Sequence, residues 1–174
     1  MPMPARRYVT ALLFAVALVV SLAHANAPAP AANPAIDMEG YLKVSREAAK
    51  HRATRRVSEE DFMRMAREPN TIVLDARSRE KYDERHIQGA VSLAFSDIAV
   101  ESLARAIPDK NTRILIYCNN NFENNVAPVM LKRVELALNI QTFINLYGYG
   151  YRNVYELGEV VNFNDPKVRW VRGG

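Results

Sequence analysis

Two short apolar runs constrain this chain more than anything else in it: Thr71-Ile72-Val73-Leu74 and Arg113-Ile114-Leu115-Ile116-Tyr117. Both are rich in β-branched residues and apolar at successive positions, the pattern of strands buried on both faces. Around them the sequence turns to helical spacing. Ser58-Glu59-Glu60-Asp61 is a capping-box pattern that opens a helix through about Arg67. Ser78 can cap a short helix containing Glu80, Lys81 and Tyr82, and another helix is expected from Ile98 to Ala106, ended by Pro108-Asp109. Ala90 to Leu93 and Asn153 to Leu157 are further strand candidates. Strands that alternate with helical stretches predict an α/β fold, a parallel sheet with helices on both faces.

The first residues point elsewhere. Arg6 and Arg7 precede Val9 to Ala23, an uncharged and mostly apolar run, and Ala23-His24-Ala25 then offers small residues at the −3 and −1 positions of a cleavage site. This is the pattern of a secretory signal peptide over residues 1–25. The other reading is a membrane anchor, but the run falls short of the roughly 20 residues that cross a bilayer. The expectation is therefore an exported, periplasmic or secreted protein with no membrane attachment after cleavage. Its working compartment would be oxidising.

Residues 26–35 are rich in Ala and Pro and read as an extended linker. Residues 36–56 read as an N-terminal helical extension, with Met38, Tyr41, Leu42, Ala48 and Ala49 on one helical face. Its end carries Lys50, His51, Arg52, Arg55 and Arg56. Such a cluster is usually a solvated surface; an acidic partner surface is the alternative. Residues 57–174 then form one domain. Without Arg6 and Arg7 the formal charge drops from +4 to +2, too balanced to imply nucleic acid. Apolar residues at 49% exclude a disordered chain.

The single cysteine, Cys118, follows directly on the second apolar run. It allows no intramolecular disulfide and no cysteine-rich metal site. In an open α/β sheet reactive groups collect at the carboxyl ends of the strands. A cysteine there, followed by a polar loop and a helix, faces backbone N–H groups that favour a thiolate or a bound persulfide anion. Asn119, Asn120, Asn121, Asn124 and Asn125 suit that loop, because asparagine tolerates left-handed backbone. The bland reading is a buried small hydrophobe. The stretch from Asn119 to Tyr151 allows either one long helix or two short ones, with Leu136, Ile140, Phe143, Ile144 and Tyr147 on a common face and a turn over Tyr147 to Tyr151.

With these residues in place the sequence resembles the rhodanese-like family. Ile72-Val73-Leu74-Asp75-Ala76-Arg77 is similar to that family's first strand and Asp-x-Arg turn. Glu80-Lys81-Tyr82 followed by His86-Ile87-Gln88-Gly89-Ala90-Val91 resembles its next segment. Ile114-Leu115-Ile116-Tyr117-Cys118 resembles the strand that enters the catalytic cysteine, and Gly150 to Leu157 the final strand. The resemblance implies a five-stranded parallel sheet flanked by helices on both faces. It implies that Cys118 takes a sulfane sulfur from a small donor such as thiosulfate, holds it as a persulfide and passes it to a thiol or cyanide, without metal or organic cofactor. Residues Asn119, Asn120, Asn121, Phe122, Glu123 and Asn124 would bind the donor, with Asp75 and Arg77 supporting the loop. For Asp75 and Arg77 a turn cap with a surface ion pair is the competing reading, and His86 reads as a satisfied structural residue. The loop departs from the family pattern: it lacks the usual glycine and arginine, Glu123 would repel an anionic donor, and the first cation after Cys118 is Lys132. An insertion is expected between Asn119 and Asn139. The alternative function is a non-catalytic module of this family that binds a periplasmic protein or redox partner.

Overall fold

A computed structural model describes residue 31, residues 33–124 and residues 130–173. The expected signal peptide and most of the expected linker lie outside the described residues, as do Asn125 and Pro128. By packing the chain forms two units, Met1–Asp37 and Met38–Gly174. In the first, Asn33 makes a turn, its backbone oxygen accepting from Ile36 N–H at 3.1 Å and its side chain from Ala35 N–H at 3.0 Å.

The second unit is built on a five-stranded parallel sheet. Its elements, in chain order, are α1 (Met38–Arg52), β1 (Arg56–Val57), α2 (Glu59–Met65), β2 (Thr71–Asp75), α3 (Arg79–Glu84), β3 (His86–Ile87), β4 (Val91–Ser92), α4 (Val100–Ala106), β5 (Arg113–Tyr117), β6 (Phe122–Glu123), α5 (Leu138–Gly148), β7 (Val154–Leu157), β8 (Val161–Asn162) and β9 (Trp170–Val171). The sheet order is β1-β7-β5-β2-β4, all neighbours parallel. Two small ladders, β3 with β9 and β6 with β8, close the rim.

β5 sits at the centre, and its alternation divides the core. Ile114 and Ile116 join Ala48 of α1, Leu103 of α4, and Phe143 and Leu146 of α5 on one face. Leu115 and Tyr117 join Phe62 and Met65 of α2 and Tyr82 of α3 on the other. Both faces of the strand are therefore dry, which is why its sequence is apolar without alternation. Ser58 caps α2 as expected, its hydroxyl accepting from Asp61 N–H at 3.2 Å.

Three local expectations changed. The helix expected from Ile98 to Ala106 starts two residues later, as α4, and a separate 3₁₀ turn over Phe95–Asp97 precedes it. The ambiguous stretch after Cys118 resolves into a 3₁₀ turn over Asn119–Asn121, β6, a second 3₁₀ turn over Val134–Leu136, and α5, so Leu136 precedes the helix whose face it was expected to share. The edge strand β1 carries no apolar run that could have announced it. Among the described residues no helix is long and apolar enough to cross a membrane.

Candidate active site

Cys118 leaves β5 in extended backbone, φ −148° and ψ 178°, and opens the 3₁₀ turn. Asn121 fixes this turn. Its Oδ1 accepts from Cys118 N–H at 3.0 Å and from Asn139 Nδ2 at 2.9 Å, while its own Nδ2 donates to Leu157 O at 2.8 Å and Glu159 O at 3.1 Å. One buried amide thus ties the cysteine loop to the end of β7 and to the first turn of α5.

The sulfur receives hydrogen bonds from the backbone N–H groups of Asn139, Asn120 and Leu138. Only Asn120 belongs to the loop that follows the cysteine. The other two open α5, where unpaired amides and the helix dipole face the thiol. Burial pushes the thiol above its ordinary value, the three amides pull against that rise, and the carboxylate of Glu156 adds to it. The net rise favours the neutral thiol at rest, against the thiolate that a position at the strand end was expected to favour.

Cys118 is only 2% exposed but forms part of the wall of an open pocket of about 190 Å³. Arg52, Arg56 and Glu156 line the same pocket. In the parallel register β1 sets Arg56 beside Glu156 of β7. Arg52, the last residue of α1, grips the Glu156 carboxylate with Nε at 2.6 Å and with Nη2. Arg56 approaches the same carboxylate more loosely, Nε to Oε1 3.5 Å, and donates through Nη2 to Gly158 O at 3.2 Å. Asn139 also lines the pocket, and its Oδ1 is buried without a hydrogen-bond partner.

The expected loop residues separate into two groups. Asn120 and Asn121 line the pocket. Asn120 also exchanges hydrogen bonds with the backbone of Lys132, 3.2 Å and 2.8 Å, which ties the cysteine loop to the segment that leads into α5. Asn119 instead accepts from Arg77 Nη1 at 3.3 Å. Phe122, Glu123 and Asn124 leave the site. Phe122 points into the opposite core, edge-on to Tyr117 and packed on Trp170. Glu123 is an exposed residue of β6 beside Asn162 of β8. Asn124 adopts φ 58° and accepts from Asn164 Nδ2 at 3.3 Å. The cause is the β6–β8 pairing, which draws the chain away from the thiol once the 3₁₀ turn is complete. Glu123 therefore does not stand in the donor's path.

Asp75 and Arg77 form a buried pair, not a surface one. Asp75 is fully buried and accepts from Arg77 N–H at 3.0 Å, Arg77 Nε at 2.9 Å, Arg77 Nη2 at 2.7 Å and Tyr117 Oη at 2.6 Å. Through Nη1 the guanidinium reaches Asn119, so the network supports the cysteine loop from the α3 side. His86 is structural: its Nδ1 bonds Tyr82 O at 2.8 Å and its ring stacks on Tyr82 at 3.6 Å. Among the described residues no group of three His, Cys, Asp or Glu side chains gathers where it could hold a metal ion.

Sequence reasoning missed Arg52, Arg56, Glu156 and Asn139. The basic cluster at the end of α1 looked like solvated surface. The available signal was Glu156, a carboxylate inside an otherwise apolar strand, which requires a buried cation nearby.

Comparison with known proteins gives a consistent picture. The sequence model of the rhodanese-like domain matches residues 58–159. The chain is 28% identical over 96 residues to the thiosulfate sulfurtransferase PspE of Escherichia coli K12, covering 55% of this chain and 77% of that one. Among solved structures it is similar to a rhodanese with anions from E. coli, 26% identical with a TM-score of 0.40, over 59% of this chain and 99% of that one. It is similar also to the solution structure of a rhodanese-like domain from Anabaena, 20% identical with a TM-score of 0.43, over 59% of this chain and 67% of that one.

Proposed function

Because the chain belongs to the rhodanese-like domain family, we propose that it is a sulfurtransferase in which Cys118 carries the sulfur as a persulfide. The observation that carries this reading is the thiol at the carboxyl end of the central strand, with three backbone N–H groups aimed at its sulfur and a pocket beside it. The likeness to a thiosulfate sulfurtransferase supports it.

The amides define the chemistry. A donor's outer sulfur meets Cys118 after the thiol has given its proton to the solvent. The new S–S bond forms as the donor's own S–S bond breaks, and its electron pair leaves with the departing anion. The outer sulfur of the persulfide then carries the negative charge, and the N–H groups of Asn120, Leu138 and Asn139 are placed to stabilise it. Preorganised donors of this kind favour a developing anion without reorganising during the reaction. A thiol or cyanide next attacks the outer sulfur and regenerates Cys118.

The test is thiocyanate formation from thiosulfate and cyanide, beside a Cys118→Ser control. Transfer that is lost in the control, with a mass increment of one sulfur on the wild-type protein isolated without reductant, supports the reading. No transfer and no increment would refute it. We further infer that residues 1–25 direct export and that the reaction takes place outside the cytoplasm, with residues 57–174 as the rhodanese-like domain and 36–56 as its extension. Sequencing the N-terminus of the protein recovered from the periplasm tests the cleavage after Ala25.

A further inference from the structure

A separate pocket, of about 180 Å³, shares no lining residue with the one at Cys118. Its floor is apolar: Met63 and Ile87 are buried and Ala66 is half-buried. Its rim is cationic. Arg67 follows α2, and Lys167 and Arg169 lead into β9. Among the described residues no carboxylate lines this pocket, and none of the three cations makes an ion pair or a side-chain hydrogen bond. Asp165 accepts from the backbone N–H of Lys167 at 2.8 Å, and Glu59 feels the Lys167 charge without pairing with it. By contrast Arg52, Arg64, Arg77, Arg79, Arg113 and Arg133 each hold a carboxylate. The basic cluster at the end of α1, the other candidate for an acidic partner, is spent inside the molecule. There Arg52 and Arg56 turn to Glu156, His51 bonds Arg152 O at 2.7 Å, and Arg55 lies 4.7 Å from the centre of the Tyr155 ring. The three charges at the separate pocket have no such use. Like charges around one concavity repel one another, and an external anion offsets that repulsion.

We propose that this pocket docks an acidic segment of a partner protein, whose carboxylates meet Arg67, Lys167 and Arg169 while one aliphatic side chain enters against Met63 and Ile87. An apolar centre inside a charged rim is the anatomy of a protein docking site, with its energy concentrated in the anchor that fills the centre. The volume, about 180 Å³, falls below the roughly 300–1,000 Å³ of a pocket that encloses a drug-sized molecule. It suits one side chain of a larger partner. Lys167 and Arg169 also lie beyond the matched residues 58–159, so two of the three cations belong to the part of this chain outside the family match.

The experiment titrates the purified protein into a fluorescein-labelled peptide Asp-Glu-Leu-Asp-Glu and follows anisotropy. The triple variant Arg67→Gln, Lys167→Gln, Arg169→Gln should raise Kd at least tenfold, and exchanging the peptide's Leu for Ser should raise it at least fivefold. Raising NaCl from about 0.1 M to about 1 M, which shortens the screening length from about 10 Å to about 3 Å, should also weaken binding. Amide shifts on peptide addition should centre on residues 63–67, 87–88 and 167–169. The three cations are exposed, so the variant's melting curve should match the wild type. No binding, an unchanged Kd in the triple variant, or shifts centred on residues 50–56 overturns the proposal. Displacement of the peptide by an equal concentration of pyrophosphate overturns it in favour of a small-anion site, and self-association that the triple variant abolishes overturns it in favour of a second copy of this chain. The readout is binding and not sulfur transfer, so any of these results leaves the sulfurtransferase reading standing, and a failure of that reading leaves the docking proposal to its own test.

Discussion

Replacing Asp75 by Asn tests the network that holds the cysteine loop. Asp75 has no exposed surface and receives four donors, three from Arg77 and one from Tyr117. Asparagine keeps one acceptor oxygen and puts an NH₂ in place of the other. If the NH₂ replaces Oδ2, it faces Arg77 Nη2 and the Tyr117 hydroxyl. If it replaces Oδ1, it faces Arg77 N–H and Nε. In either orientation donor meets donor, and a guanidinium only 11% exposed loses its counter-charge. Breaking one side of such a buried pair costs about 3–5 kcal/mol. With a urea slope of about 2 kcal/mol/M, the unfolding midpoint should fall by about 2 M. The single tryptophan, Trp170, stacks on Phe163 at 4.5 Å and reports unfolding by fluorescence. Adding Arg77→Met to Asp75→Asn should cost less than about 1 kcal/mol more, because the charge left without a partner has been removed with it. A loss below about 1 kcal/mol for Asp75→Asn, or strict additivity of the two substitutions, would refute the reasoning.

Three other expectations follow from the same contacts. Asn121→Ala strips the acceptor from Cys118 N–H and Asn139 and the donor from Leu157 O and Glu159 O; it should cost about 3 kcal/mol in chemical denaturation and lower sulfur transfer in protein that is still folded. Gly158→Ala would set a Cβ 3.1 Å from Arg56 Cβ and 3.2 Å from Val57 O. β1 must then shift on β7, so the melting temperature should fall, by a loss of about 1–3 kcal/mol, and KM for an anionic donor should rise. Because burial raises the Cys118 pKa, iodoacetamide should label it at pH 7 more slowly than it labels free glutathione. The rate should climb as pH rises beyond about 8.5, the ordinary thiol value. Linkage has the same sign: the neutral thiol is the form the fold accommodates, so its contribution to stability is complete below the unfolded pKa and declines as pH rises through the raised one. Faster labelling than glutathione at pH 7 would contradict this account.

Much of the fold was legible because its signals are local. β2 and β5 lie where β-branched apolar runs stand, and Ser58 caps α2 where the capping pattern begins. The 3₁₀ turn over Val134–Leu136 and the strand β1 were not legible, since each is too short for a period to develop. Cys118 was legible as a residue at a strand end. Its surroundings were not.

The chain's own pattern of runs and caps, acting over a few residues at a time, settled the alternation of strand and helix, the central strand and the thiol at its end. Only tertiary packing settled what faces that thiol. Two of its three amides come from Leu138 and Asn139, the latter 18 positions beyond the Asn121 that holds it. Its cations come from α1 and β1, brought in by the register of β1 on β7 and by the burial of Ala48 against Phe143 and Leu146. The same forces carried Glu123 outward, through the pairing of β6 with β8. Backbone propensity acts along the chain, whereas a pocket is an agreement among distant segments about which apolar faces to bury together. No window of neighbouring residues contains that agreement.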